Sequence, residues 1–158
     1  MIKAMFIAGI GGFLGTCLRY LVGKLTSHLF APPFPWGTFA VNLIGSFIIG
    51  IFFGLAEKNH LISAQMNLFL ITGFCGGFTT FSSFSHDLLL LLQNKHWGYF
   101  SIYLICSIIL GIILVSLGRY LVKPNWAIAL KADTPTGYFS SPQTDFLWHA
   151  AITLPSDG

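Results

Sequence analysis

The third apolar segment of the chain carries the residues best suited to bind an ion. From its middle onward it contains, in order, Gly73, Gly76, Gly77, Thr79, Thr80, Ser82, Ser83 and Ser85. Each glycine weakens a helix by about 1 kcal/mol relative to alanine, and Ser and Thr hydroxyls that bond to carbonyl groups bend it further. We therefore predict a broken helix, whose freed carbonyls suit a cation and whose freed N–H groups and hydroxyls suit an anion. A kinked, tightly packed helix without a site is the alternative interpretation.

Two phenylalanines follow the glycine pair at helical spacing. Phe81 and Phe84 are three residues apart, so they share one side of the segment if helix resumes there. The edge of an aromatic ring is electropositive, so ring edges can contact a small anion. Two lipid-facing side chains are the alternative, since the chain contains 16 Phe.

Small and polar residues recur every four positions in the other apolar segments. The three series are Gly11, Gly15, Arg19 and Gly23; Thr38, Asn42, Ser46, Gly50 and Gly54; and Tyr103, Ser107 and Gly111. The glycines and Ser46 predict close helix packing. Asn42 lies too deep to reach the interface, which predicts either a helix–helix hydrogen bond or a place on an ion pathway. For Arg19, snorkelling from the helix end and a functional role both stay open.

The elements that must position these residues are membrane-spanning helices. The chain has 158 residues, of which 54% are hydrophobic and only 8% charged, which excludes a soluble globular domain and a disordered chain. Long uncharged stretches, such as the 32 residues between Lys24 and Glu57, predict four helical spans. Their predicted bounds are 4–24, 35–56, 66–92 and 98–121. The predicted fold class is an all-α integral membrane four-helix bundle.

Two regions of different character divide the chain. Residues 1–124 carry seven Lys and Arg and two acids, and we predict that they form the four-span domain. Residues 125–158 contain several Pro, Ser and Thr and are predicted to be a polar, poorly ordered tail. The cations of the first region give only a weak bias toward cytoplasmic termini, and no basic run indicates nucleic-acid binding.

No residue pattern indicates an enzyme. His86 and Asp87 are adjacent and would point to different sides of a helix, and the chain has no nucleophile or metal-ligand motif. Cys17, Cys75 and Cys106 lie in predicted spans without metal-ligand spacing. We therefore predict a membrane protein without catalytic activity.

Three segments together resemble the CrcB/Fluc family of fluoride channels. They are residues 11–15 (GGFLG) followed by Arg19 and Tyr20, residues 37–45 (GTFAVNLIG) and residues 73–85 (GFCGGFTTFSSFS). The third is highly specific, and the likeness covers about residues 4–122.

The resemblance implies a dual-topology homodimer of two antiparallel four-span subunits with a broken third helix. Backbone carbonyls that match Gly76 and Thr79 would hold a structural Na⁺, which is not transported, at the dimer centre. Two pores would follow the subunit interface, with Arg19 near the entrance. The residues that match the fluoride pathway are Asn42, Phe81, Phe84, Ser107, Tyr103, Thr38 and Ser83. Gly111 stands where some members carry Ser, which would shorten this polar track.

The implied function is passive export of fluoride down its electrochemical gradient, which lowers cytoplasmic fluoride and its toxicity. The protein would lie in the cell membrane, or in the inner membrane of a Gram-negative cell, with lipid, fluoride and a second copy as partners. Two alternatives stay open: a proton-coupled four-helix exporter, for which Asp87 is the only candidate proton carrier, and a purely structural subunit. The 125–158 tail matches nothing in the family and is interpreted as a lineage-specific extension or a product of read-through or frame change.

Overall fold

The computed structural model describes residues 1–57 and 63–122, and the regular structure in these ranges is helical. The predicted tail at 125–158 lies outside the described residues. The helices are α1 (Ile2–Leu29), α2 (Trp36–Glu57), α3 (Ala64–Asn67), a π-helical segment (Leu68–Cys75), α4 (Gly76–Phe78), α5 (Phe81–Gln93) and α6 (Trp97–Val122).

Four stretches are long and apolar enough to cross a membrane, which confirms the prediction of a multi-pass membrane protein. They are α1, α2, α6 and the third span Ala64–Gln93, which runs from α3 to α5. Even α2, with 22 residues, is about 33 Å long at ~1.5 Å per residue, enough for a hydrocarbon core of about 30 Å. The predicted bounds are within three residues of the observed ones, except at the end of α1.

The first helix continues to Leu29, five residues beyond the predicted end at 24. Lys24 stands at the predicted end, but its exposed side chain is tolerated inside the helix because a lysine stem can carry its charge to the interface. The polar side chain of Thr26 is also compatible with the extended helix, because its buried hydroxyl donates to the Val22 and Gly23 carbonyls of the preceding turn at 2.9 Å.

Glycines bring α1 into backbone contact with the first half of the third span. A Cβ on Gly15 would collide with the Phe74 carbonyl oxygen, and one on Gly11 with that of Phe69. From the opposite side, a Cβ on Gly77 would collide with the Gly12 carbonyl. The glycine stripe of α1 is therefore a packing surface at Gly11 and Gly15, as predicted. Gly23 differs, since a Cβ there would meet no atom within 4 Å.

The same device joins α2 to α6. A Cβ on Gly50 would collide with the Val115 carbonyl, and one on Gly118 with the Phe47 carbonyl. At the end of this pair of helices, Arg119 Nη2 forms an ion pair with Glu57 Oε2 at 2.9 Å. Backbone packing and one ion pair therefore fix the register of α2 against α6.

We predict that Gly15→Ala destabilises the protein while Gly9→Ala does not. The added methyl group at position 15 has only backbone to displace, which should lower the free energy of unfolding by about 1–3 kcal/mol. A Cβ at Gly9, on the same helix, meets nothing within 4 Å and should be neutral or slightly stabilising. Thermal unfolding of the two variants in detergent, followed by tryptophan fluorescence, measures the difference. Equal midpoints would contradict the packing described here.

Candidate functional site

The third span is interrupted between α4 and α5 by two residues with extended backbone. Thr79 has φ −79° and ψ 158°, and Thr80 has φ −150° and ψ 118°. The Thr79 N–H and hydroxyl both donate to the Cys75 carbonyl at 2.9 Å, where the first helical half ends. The Thr80 hydroxyl accepts a hydrogen bond from the Ser83 N–H at 3.2 Å and so caps the start of α5.

The side chain of Asn42 holds the backbone of Thr80 with two hydrogen bonds. Its Nδ2 donates to the Thr80 carbonyl at 3.1 Å, and its Oδ1 accepts from the Thr80 N–H at 2.8 Å. Thr80 is buried, so these two groups would otherwise lack partners in the bilayer. The structure thus shows Asn42 hydrogen-bonded to a neighbouring span, at its non-helical interruption, while the other predicted role of Asn42, a place on an ion pathway, stays a prediction. A methyl group on nearby Gly45 would collide with the Thr79 side chain, so glycine at this position lets α2 approach the interruption.

These hydrogen bonds remove the usual helical donors from two carbonyl groups. In a continuous helix, the Thr80 N–H would bond the Gly76 carbonyl and the Ser83 N–H would bond the Thr79 carbonyl. Here the two N–H groups donate to Asn42 and to the Thr80 hydroxyl instead. The Gly76 and Thr79 carbonyls are therefore available to a cation, for which oxygen ligands are suitable. The described residues contain no group of three or more His, Cys, Asp or Glu that could hold a metal ion.

Aromatic rings run from the interruption into the protein interior. The Phe81 side chain begins the series at the surface and is 79% exposed. Its ring centroid is 5.9 Å from that of Phe84, which is 5.0 Å from that of Tyr103. Tyr103 is fully buried, and the ring of Phe34 from the α1–α2 loop lies edge-on to it at 5.5 Å. The predicted pathway residues Phe81, Phe84 and Tyr103 thus form one continuous row.

Two hydroxyl groups predicted for the pathway lie on the helices that carry this row, Ser83 on α5 and Ser107 on α6. The Ser83 hydroxyl accepts a hydrogen bond from the Thr80 hydroxyl at 3.2 Å. The Ser107 hydroxyl, one turn after Tyr103 on α6, is buried and has no hydrogen-bond partner within the described part of the chain. Leaving such a group unpaired costs about 1–3 kcal/mol, so Ser107 is ready to bond a bound ion or water.

The two remaining predicted site residues differ in how they relate to the row. Thr38 is half-buried on α2, one turn before Asn42, and its hydroxyl interacts with the hydroxyl of Tyr103. Arg19 is half-buried on α1, and among residues 1–57 and 63–122 no ion pair or hydrogen bond joins its side chain to the other site residues. Its predicted place near the pore entrance remains a prediction. Snorkelling of Arg19 toward the interface near Lys24 stays the alternative interpretation.

Sequence reasoning missed one polar contact at the inner end of the aromatic row. The Tyr103 hydroxyl donates to Asp87 Oδ2 at 3.4 Å. Asp87 also lines a cavity of about 230 Å³ beneath the prolines of the α1–α2 loop. The sequence did offer a signal that Asp87 lies near the aromatic row. Asp87 follows Phe84 by three residues, and residues at this spacing share a helix face.

Comparisons with known proteins identify the chain's relatives. The family described as "CrcB-like protein, Camphor Resistance (CrcB)" matches residues 6–119, which contain every site residue named above. The "Fluoride-specific ion channel FluC" of Bacteroides fragilis is 46% identical over 122 residues, or 75% of this chain and 95% of the relative. The protein of the same name from Rhizobium leguminosarum bv. trifolii is 45% identical over 123 residues, or 78% and 98% of the two chains. That of Chlorobium luteolum is 45% identical over 121 residues, or 77% and 93%.

We predict that Asn42→Ala lowers stability more than Ser46→Ala. The first change removes both partners of the buried Thr80 backbone groups, and at about 1–3 kcal/mol for each unsatisfied group it should cost roughly 2–5 kcal/mol. Ser46 lies one turn along the same helix, and its hydroxyl forms no hydrogen bond with the described residues, so its loss should be nearly neutral. Thermal unfolding in detergent compares the two variants. A midpoint for the Asn42 variant equal to that of the Ser46 variant would contradict this role of the amide.

Proposed function

Because this chain belongs to the CrcB family of ion channels, and is a multi-pass membrane protein and not an enzyme, we propose that it is a fluoride-specific ion channel. The proposal rests on how much of each related fluoride channel this chain matches. Relatives named as fluoride channels match over 93–98% of their own length at about 45% identity.

The proposed pathway follows the aromatic row and its hydroxyl groups. Fluoride holds its water strongly, so a narrow pore must replace each hydrogen bond that it removes. Asn42 keeps one N–H available, because its amide nitrogen carries two hydrogens and one is bonded to the Thr80 carbonyl. The unpaired Ser107 hydroxyl and the electropositive edges of Phe81 and Phe84 supply further contacts. The remaining proposed pathway residues are Tyr103, Thr38 and Ser83.

We further propose that two copies assemble antiparallel and hold a structural Na⁺ between them. Three features support this arrangement: the freed carbonyls of Gly76 and Thr79, the exposure of Gly76, and the 79% exposure of Phe81. In a dimer, a partner that covers this face would enclose both the carbonyls and the first ring of the pathway. Bound Na⁺ would supply positive potential near the anion and would not be transported.

Conduction in this proposal is passive, and its result is export of fluoride from the cytoplasm. A proton-coupled exporter would need an embedded acid, and among the residues that the structure describes only Asp87 lies within a span away from its ends. The carboxylate of Asp87 already accepts a hydrogen bond from the Tyr103 hydroxyl. This arrangement supports a channel better than an exporter that uses Asp87 as its proton carrier.

We predict rapid fluoride efflux from liposomes that contain the purified protein. Vesicles are loaded with potassium fluoride and opened to potassium with valinomycin, and external fluoride is followed with an ion-selective electrode. Efflux should need no pH gradient, and the same vesicles loaded with chloride should release almost none. Efflux that requires a pH gradient would support the exporter, and no efflux would support a structural subunit.

We also predict that Phe81→Ile sharply reduces fluoride efflux while the protein still assembles. The change removes a ring edge from the pathway but keeps an apolar side chain at an exposed position. Phe6→Ile on α1 is the control, because Phe6 is 68% exposed and takes no part in the aromatic row.

Asn42→Asp, which replaces the amide N–H groups with a negative charge, should also reduce efflux. Wild-type efflux from the Phe81 and Asn42 variants would contradict the pathway.

A further inference from the structure

We propose that the carboxylate of Asp87 limits the fluoride flux electrostatically, from a cavity that forms the outer vestibule of the pathway. The inference rests on the proposed channel function and adds a residue that determines its rate.

Asp87 lies at the inner end of the aromatic row. It follows Phe84 by three residues on α5, and its Oδ2 is 3.4 Å from the Tyr103 hydroxyl. The rings of Phe84 and Tyr103 are themselves 5.0 Å apart. An anion that passes these two rings therefore passes a carboxylate, the group most unfavourable to it.

The cavity beside Asp87 connects this position with the protein surface. Its volume is about 230 Å³, which holds several water molecules at roughly 30 Å³ each. Its walls are three prolines of the α1–α2 loop and two leucines of α5, together with Asp87, Asn94 and His96. Because most of the walls are apolar, they focus the field of the one acid instead of screening it. An anion in this cavity is repelled on its way to or from Tyr103.

No cation neutralises Asp87 within the described ranges. The other acid there, Glu57, is paired with Arg119, whereas no Lys, Arg or His lies within salt-bridge distance of Asp87. The titratable groups that adjoin Asp87 or share its cavity are His86, the preceding residue on α5, His96 in the cavity wall and Tyr103; Lys95 lies next to His96 in the turn before α6. The turn places Lys95 in the left-handed region at φ 59°, with an exposed side chain. Among the described residues, the charge of Asp87 therefore acts on the vestibule with a hydrogen bond from Tyr103 but without an ion-pair partner.

The test compares fluoride efflux from liposomes that contain wild-type protein, Asp87→Asn or Glu57→Gln. The Asn variant removes the charge but keeps an oxygen that can accept the Tyr103 hydrogen bond. The Glu57 variant removes an equal charge far from the cavity. Trp36, the first residue of α2, follows the proline loop that lines the cavity, and Glu57 is the last residue of the same helix, about 33 Å away along its axis. At about 10 mM ionic strength the Asn variant should conduct roughly threefold to tenfold faster than wild type, because like charges several Å apart repel appreciably at low screening.

Ionic strength separates this effect from a change in packing. The ratio of the Asn variant to wild type should fall toward one at ~1 M impermeant salt, where the screening length is only about 3 Å. The Glu57 variant should show the same dependence on ionic strength as wild type. Equal efflux from the Asn variant and wild type at all ionic strengths, or slower efflux from the Asn variant, would overturn the inference.

Two further outcomes are decisive. Failure of the nearly isosteric Asn variant to assemble would assign the carboxylate a structural role and would also overturn the inference. Absence of fluoride efflux from wild-type protein would instead contradict the proposed channel function. Wild-type efflux with an unchanged Asn variant would leave the channel intact and remove only the role of Asp87.

Discussion

The two hydrogen bonds between the Asn42 side chain and the Thr80 backbone are the constraint on which the site depends. A membrane-crossing helix that stops and restarts exposes polar backbone groups where no lipid atom can bond them. The amide side chain of Asn42 bonds both the N–H and the carbonyl of Thr80, the more buried of the two residues in the interruption. The Thr80 hydroxyl then starts the next helix, so the interruption is only two residues long. The interruption leaves the Gly76 and Thr79 carbonyls without helical donors inside the span, next to the start of the aromatic row at Phe81.

Close backbone packing allows this local structure to form. Glycines of α1 contact the π-helical segment and α4, and Gly45 of α2 makes room for Thr79. These contacts hold the two sides of the interruption without bulky side chains between the helices, so the approach of α2 is close enough for Asn42 to reach Thr80. The interruption and the glycine stripes are therefore parts of one arrangement.

Much of this arrangement could be predicted from the sequence, and the reason is physical. Long uncharged stretches define the spans, and glycine pairs beside hydroxyl residues mark the weak point of the third one. The partner of Asn42 could not be predicted, because the rotation of α2 against the third span depends on packing that no single segment encodes. The end of α1 was placed too early, since Lys24 is compatible with both a helix end and a helix interior. The sequence places Asp87 on the helix face of Phe84, but the contact with Tyr103 joins residues 16 positions apart on two helices, and the packing of those helices decides it.

Solid-state NMR of the protein in lipid bilayers tests the central claim most directly, through the backbone chemical shifts of Thr79 and Thr80. Extended-type shifts at both residues, flanked by helical shifts at Phe78 and Phe81, are the predicted result. The Asn42 side-chain amide should also shift on addition of fluoride and not of chloride. Helical shifts that continue through Thr79 and Thr80, with an Asn42 amide unaffected by fluoride, would contradict both the interruption and the pathway built on it.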